Sequence, residues 1–326
     1  MTLSDAGAIP RRAFGATGLR VSEVGFGGWA IGGKAYGAVD RHEAQSALAR
    51  AEELGCNFVD TAAVYGDSEL VLGDFLQQRR DKWVLATKYS RQAAPTATAA
   101  LEAQLKRLRT EAVDFYQLHF IPQREEHSIY EEMYRLKKAG KARFVGVSVY
   151  TTQNIDYVLD NTPIDGVQVP FSLLTPKPFL PRLERLKNSG IAIVVRSSLR
   201  EGFLTGSYTR DTRFSDPDDF RSTWKPARIA KTVERAERFR FLEAEAGSMT
   251  GAAIRYPLSF PEVSTVIVGT ATAAQAETNF GGAPGGRLSS ESLARVRAVQ
   301  KRIAVDSFGE RTLAFLAAKL RPLLRR

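Results

Sequence analysis

The sequence predicts an α/β barrel of eight parallel strands, with a β-hairpin ahead of it and extra helices behind it. Three observations carry that expectation. Short apolar runs of strand character alternate with helical stretches along most of the chain, and such alternation makes the strands parallel. Eight runs of this kind can be counted, which is enough to close a barrel. At 326 residues, 44% apolar and 25% charged, the chain can bury one large core as a single domain over 1–326, and no low-complexity linker divides it. A doubly wound open sheet is the rival that pattern alone leaves open.

Arg11 to Val21 holds Gly15-Ala-Thr-Gly18 between short extended pieces and reads as the hairpin. Val21 to Phe26 reads as the first barrel strand. It runs into Gly27-Gly28-Trp29-Ala30-Ile31-Gly32-Gly33. Gly25-x-Gly27-x-x-Ala30 has the spacing of a dinucleotide fingerprint, but no helix opens on those glycines, as that motif requires. The next helix begins only near Asp40, an N-cap residue with Glu43 three positions on, and stops at Gly55.

From there one unit repeats. Strands are expected near 57–60, 83–87, 113–118, 143–147, 166–168, 191–195 and 265–268. Helices are expected near 68–78, 96–109, 125–139, 151–160, 178–188, 226–246 and 272–280. The longest irregular stretch, Arg200 to Lys225, has the length of a functional lid. A C-terminal extension spans about 287–326, with a helix near 289–302. Its tail, Glu310 to Arg326, spaces Leu313, Leu316, Leu320, Leu323 and Leu324 helically among basic residues. That tail reads as packing across the barrel or as a helix for a partner or membrane surface.

The formal charge is +10, with most Arg and Lys interleaved with Glu along helices. This reads as a solvated surface that steers anions, not as a nucleic-acid footprint. No apolar run reaches the length of a membrane span. Met1 to Arg12 lacks the apolar stretch of a secretion signal. One cysteine, Cys56, excludes an intramolecular disulfide framework. These features point to the cytoplasm, and no metal site is expected.

The chemistry-bearing residues collect at strand ends. Asp60 closes the second strand and Tyr65 lies five residues on, in the loop before a helix. Lys88 follows the third strand and His119 the fourth. Alone, each has an ordinary structural explanation: a turn cap, a half-buried aromatic, a solvated charge, a core histidine. Together, at successive strand ends where a parallel barrel keeps its site, they suggest an acid–base constellation. Burying such groups without purpose is costly.

These stretches resemble the aldo-keto reductase family over nearly the whole chain. The matching motifs are Asp60-Thr-Ala-x-x-Tyr65-Gly-x-Ser-Glu69, Thr87-Lys88, Val113-Asp-x-Tyr-x-Leu-His119, Gly146-Val-Ser148, Val167-Gln168, Leu199-x-x-Gly202-x-Leu-Thr-Gly206 and Val266-Ile-x-Gly269. The resemblance implies an (α/β)8 barrel with a nicotinamide cofactor across the strand C-terminal ends, and a catalytic tetrad of Asp60, Tyr65, Lys88 and His119. Tyr65 would be the general acid, Lys88 would lower its pKa, Asp60 would hold Lys88, and His119 would orient the carbonyl.

The resemblance also implies cofactor contacts. Gly28, Trp29 and Asp60 would lie against the cofactor. Ser148 and Gln168 would bind the nicotinamide carboxamide, with Val149 where the family usually has Asn. Arg196 stands where many members stack an aromatic ring on nicotinamide, and a guanidinium plane can also stack. Ser197, Leu199, Gly202 and Leu204 would line the pyrophosphate, and Gly269, Thr270, Gln275 and Asn279 the adenosine end. NADP(H) is favoured, with NAD(H) left open because Gly269 and Gln275 stand near positions that carry Lys and Arg in strongly NADP-selective members.

The substrate pocket is expected to involve Trp29, Tyr65, Tyr89, His119, Phe120 and Tyr150, under the 200–225 loop. The expected activity is NADPH-dependent reduction of a small aldehyde, ketone or keto-sugar, reversible to alcohol oxidation. Two alternatives stand beside it: a dedicated ketoreductase of a sugar or sugar nucleotide, and a cofactor-sensing subunit resembling potassium-channel β subunits.

Overall fold

A computed structural model describes residues 9–33, 35–123, 126–281 and 286–320, and the side chains through residue 306. β1 (Arg11–Ala13) and β2 (Arg20–Ser22) pair antiparallel, Arg12 opposite Val21. This hairpin closes the N-terminal mouth of the barrel. Phe14 at its bend is fully buried among Phe58, Phe115, Ala192 and Ile267, and its ring meets Phe115 edge-on at 5.2 Å.

The barrel follows in chain order: β3 (Val24–Gly27), α1 (Arg41–Glu53), β4 (Phe58–Asp60), α2 (Ser68–Leu76), β5 (Val84–Tyr89), α3 (Ala97–Leu108), β6 (Val113–Leu118) and α4 (Ser128–Lys138). Next come β7 (Ala142–Ser148), α5 (Thr152–Asn161), β8 (Gly166–Pro170), α6 (Leu183–Ser189), β9 (Ala192–Arg196), α7 (Pro226–Glu237), α8 (Glu243–Ala246), α9 (Met249–Leu258), β10 (Thr265–Gly269), α10 (Ala273–Ala276) and α11 (Ser290–Leu320). Strands β3 to β10 form a closed parallel barrel, with β10 completing it against β3. The strands are buried on both faces, as a covered parallel sheet requires.

Several starts follow the expected chemistry. Asp40, Thr96, Thr151, Ser248 and Thr272 each accept a backbone N–H at a helix start. Four features differ from the sequence expectation. The run Val21 to Phe26 is not one strand: it breaks at Glu23, whose carboxylate pairs with Arg12 at 2.9 Å and whose N–H donates to the Pro10 carbonyl. The expected helix over 226–246 is broken near Phe239 and ends at Gly247, with φ 78.

Helix α9 was not anticipated. It is buried nearly all round and carries Pro257, so it shows neither an apolar stripe nor an uninterrupted helical pattern. The C-terminal extension is one continuous helix to Leu320 instead of two segments. Where the leucines at 313–324 point lies outside the described residues, as do residues 1–8. Among the described residues no helix is long and apolar enough to cross a membrane.

Candidate active site

Parallel strands deliver their last residues to one rim, and the register decides which of them meet. Asp60 ends β4. Lys88 is the next-to-last residue of β5 and pairs in register with Gln117 on β6. Ser148 ends β7 and lies opposite Gln168 on β8. Alternation turns Lys88, Gln117 and Gln168 inward toward Asp60.

Lys88 is fully buried and Asp60 almost so. The Lys88 ammonium donates to Asp60 Oδ2, to the Thr61 carbonyl at 2.9 Å, and to the Tyr65 hydroxyl at 3.4 Å. Burial by itself would discharge Lys88, but Asp60 and Tyr65 outweigh it and hold its pKa above the ordinary lysine value. An ammonium here is therefore the stable form.

Sequence alone points to a phenol made more acidic by Lys88. In the folded site the balance goes the other way. Burial is the largest influence on Tyr65 and raises its pKa; Lys88 pulls it down and Asp60 pushes it up, for a net rise. Tyr65 is protonated at neutral pH.

His119 follows β6, half-buried, with its ring edge-on to Tyr65 at 5.8 Å. Burial, then Lys88 and Arg196, push its pKa down to about 3. The imidazole is neutral at physiological pH. All four residues of the expected constellation thus stand within one small volume.

The other Asp60 oxygen is also engaged. Oδ1 accepts Nε2 of Gln117 at 3.0 Å and Nε2 of Gln168 at 2.9 Å. The sequence reading missed Gln117. Its signal was available: it sits on β6 one strand over from Lys88, with which it pairs in register, and two residues before His119.

The expected cofactor residues divide into groups. Ser148 Oγ and Gln168 Oε1 are buried and have no hydrogen-bond partner among the described residues, as is Ser198 Oγ, which sequence reasoning did not single out. Buried polar groups are normally satisfied. These orphans fit a carboxamide, which offers both donor and acceptor, so the residues present suit a nicotinamide. Arg196 is half-buried, donates to the Val149 carbonyl at 3.2 Å and lies over the Tyr150 ring at 4.8 Å.

After β9 the chain folds tightly, with Ser197, Arg200 and Glu201 at φ 59, 50 and 55 and Gly202 at φ 87. Leu199 accepts the N–H of Gly202 and of Leu204, and Leu204 is buried. Asn279 donates to buried Thr270 at 3.0 Å, next to Gly269. Gln275 is turned back on its own loop, its side chain accepting the Ala271 N–H at 2.8 Å. Gly28 fits where it does because a Cβ there would stand 2.7 Å from Ser68 Oγ.

On the substrate side, Trp29 and Tyr150 are exposed, at 36% and 47%. The Tyr150 hydroxyl donates to the His119 carbonyl. Tyr89 does not face the cleft as expected. Strand alternation sends it opposite to Lys88, into the helix layer, where it is 2% exposed and its hydroxyl donates to the Ala94 carbonyl. Phe120 packs edge-on against it.

The long loop covers this side as expected, through a residue the sequence did not single out. Phe220 lies 5.1 Å from Trp29 and 5.6 Å from Tyr36, and Trp29 in turn lies 6.2 Å from Tyr65. Arg221 fastens this loop. It pairs doubly with Asp219 and donates to the Glu201 carbonyl at 2.9 Å and the Tyr208 hydroxyl at 2.8 Å.

Comparison with known proteins agrees with this geometry. The model of the aldo/keto reductase family matches residues 23–301. An L-galactose dehydrogenase of Arabidopsis thaliana is 30% identical over 83% of this chain and 87% of its own. An NADH-specific methylglyoxal reductase of Escherichia coli is 29% identical over 60% of this chain and 69% of its own. Among solved structures, the glycerol dehydrogenase AKR11B4 from Gluconobacter oxydans superposes with a TM-score of 0.76 at 27% identity, covering 92% of this chain and 96% of that one. A family match that spans the barrel from its first strand to its C-terminal helix, on a closed eight-stranded barrel, has one meaning: this chain belongs to the aldo/keto reductase family, the nicotinamide-dependent oxidoreductases.

Proposed function

We propose that the protein reduces an aldehyde, ketone or keto-sugar carbonyl to the alcohol, with Tyr65 as the proton donor. The observation that carries this reading is the single ammonium, Lys88, placed between the Asp60 carboxylate and the Tyr65 hydroxyl in a water-poor site. A bound reduced nicotinamide would supply the hydride to the carbonyl carbon.

The chain's own residues handle the oxygen. Negative charge builds there as the carbon is reduced. Neutral His119 hydrogen-bonds and orients the carbonyl. Tyr65 passes its phenolic proton to the oxygen, and Lys88 stabilises the phenolate left behind. Asp60 keeps Lys88 charged throughout. General acid catalysis of this kind contributes about 10² to 10⁴ in rate. Because burial raises the Tyr65 pKa, the resting phenol is loaded for donation; alcohol oxidation, which needs phenolate, is the harder direction at neutral pH.

Gln168, Ser148 and Ser198 would hold the carboxamide, and Arg196 would lie against the nicotinamide ring. We favour NADP(H), as the family resemblance implies and as one relative is named for NADP(+). NAD(H) stays open because one relative is NADH-specific by name and Gln275 is engaged in its own turn. Two relatives are named for L-galactose and glycerol, which favours a polyhydroxylated carbonyl compound, and Trp29, Tyr150 and Phe220 offer flat faces for such a substrate. The test is loss of reduced-nicotinamide absorbance with each cofactor against aldehydes, ketones and keto-sugars. Tight cofactor binding without turnover of any of them would reject the reading.

A further inference from the structure

Both glutamines at the base of the site direct their nitrogens at one atom, Asp60 Oδ1, and this arrangement has a directional consequence. Asp60, paired with the Lys88 ammonium, offers only acceptors. Gln117 and Gln168 must therefore both present N–H₂ to it, at 3.0 and 2.9 Å. That leaves the Gln117 oxygen free to accept, and it takes the second N–H of Gln168, at 3.3 Å. Both donors of Gln168 are now used. Its carbonyl oxygen is left over, buried and without a partner among the described residues.

We propose that Gln117 is a positioning residue that locks the amide of Gln168, so that Gln168 presents its oxygen, an acceptor, to the cofactor's carboxamide N–H₂. This rests on the cofactor reading above and deepens it. Without Gln117, one reason for Gln168 to keep its nitrogen inward disappears. The amide is then held by Asp60 Oδ1 alone, and the flipped orientation loses one fewer hydrogen bond. Gln117 itself is fully buried on β6, where its side chain donates to Asp60 and accepts from Gln168. Its influence on the carboxamide passes through Gln168, and its influence on Lys88 passes through Asp60.

The arrangement also joins two halves of the site. The carboxylate that keeps Lys88 charged is the one that orients the carboxamide acceptor. A neutral hydrogen bond of this kind is worth about 0.5–1.5 kcal/mol net, which corresponds to a preference of roughly 2- to 10-fold for a ligand bearing the amide donor.

The test compares binding of the ordinary reduced cofactor with that of its acetylpyridine analogue, in which a methyl group replaces the amide nitrogen. Tryptophan fluorescence titration gives both affinities without turnover. The wild type should prefer the amide cofactor by roughly 2- to 10-fold. Gln117→Met, unbranched and of similar length, should reduce that ratio toward one. Gln117→Glu, which keeps an acceptor facing Gln168 and can share a proton with Asp60, should restore it. Should Gln117→Met fail to fold, Gln117→Leu serves the same comparison. A folded variant lacking the amide that keeps the wild-type ratio overturns the inference alone. A wild type that binds neither nucleotide overturns the cofactor reading and this inference with it.

Discussion

Gly32 lies against the backbone of Tyr65: a Cβ on Gly32 would stand 1.8 Å from the Tyr65 carbonyl oxygen. No side chain fits there unless the Tyr65 loop moves. The Asp67 N–H also donates to the Gly32 carbonyl at 3.1 Å, so the two loops are held together on both sides. Gly32→Ala should therefore displace the phenol while leaving every reactive group in the chain. A misplacement of about 1 Å can cost on the order of 10² in rate. The expected result is a kcat lower by about that factor with cofactor affinity little changed. Single-turnover kinetics would check it, and a wild-type rate would show that Tyr65 does not depend on this contact.

Tyr65→Phe removes the proton and keeps the ring that packs beside Trp29 and His119. Reduction should fall by about 10² to 10⁴, while cofactor still quenches tryptophan fluorescence. In the wild type, the raised phenol pKa predicts that alcohol oxidation gains rate as pH climbs through the alkaline range, because the base form is populated only there. An oxidation rate that is flat from neutral to alkaline pH would contradict that assignment.

His119 sets a second pH signature. Its pKa is pushed down to about 3, against about 6.5 for an unstructured histidine. Protonation then favours the unfolded chain, so the stability His119 contributes is present above pH ~6.5 and is lost as pH falls toward 3. Reduction should show no limb near pH ~6.5 attributable to this ring. An NMR titration of the imidazole is the direct check, and a midpoint near neutrality would refute it.

Asp219 and Arg221 form a buried pair, with side chains 6% and 8% exposed. Asp219→Asn leaves the guanidinium buried without its counter-charge, a change that costs about 3–5 kcal/mol in comparable pairs. Arg221 also holds the Glu201 carbonyl, in the loop assigned to the cofactor's pyrophosphate. The variant should lose thermal stability and weaken cofactor binding together. Calorimetry and titration on the same sample would test this, and lowered stability with unchanged affinity would separate the latch from the cofactor loop.

The constellation Asp60, Tyr65, Lys88 and His119 was legible in the chain because strand ends can be read from apolar runs, and a parallel barrel sends all its strand ends to one rim. The closed sheet was legible for the same reason. Helix α9 was not, since a helix buried all round carries no periodic stripe and Pro257 argues against one. The outward turn of Tyr89 was missed because the expected strand stops at residue 87; β5 runs on to Tyr89, and alternation then sets it opposite Lys88. The sign of the shift at Tyr65 belongs to tertiary structure too: proximity of a lysine is visible in motif spacing, whereas the desolvation that outweighs it exists only once the barrel closes. Gln117 makes the same point at the level of a single hydrogen bond. Sequence by itself determined which groups the site contains, and packing across five adjacent strands decided which atom of each faces which, since orientation in a buried site follows from the partners that surround it.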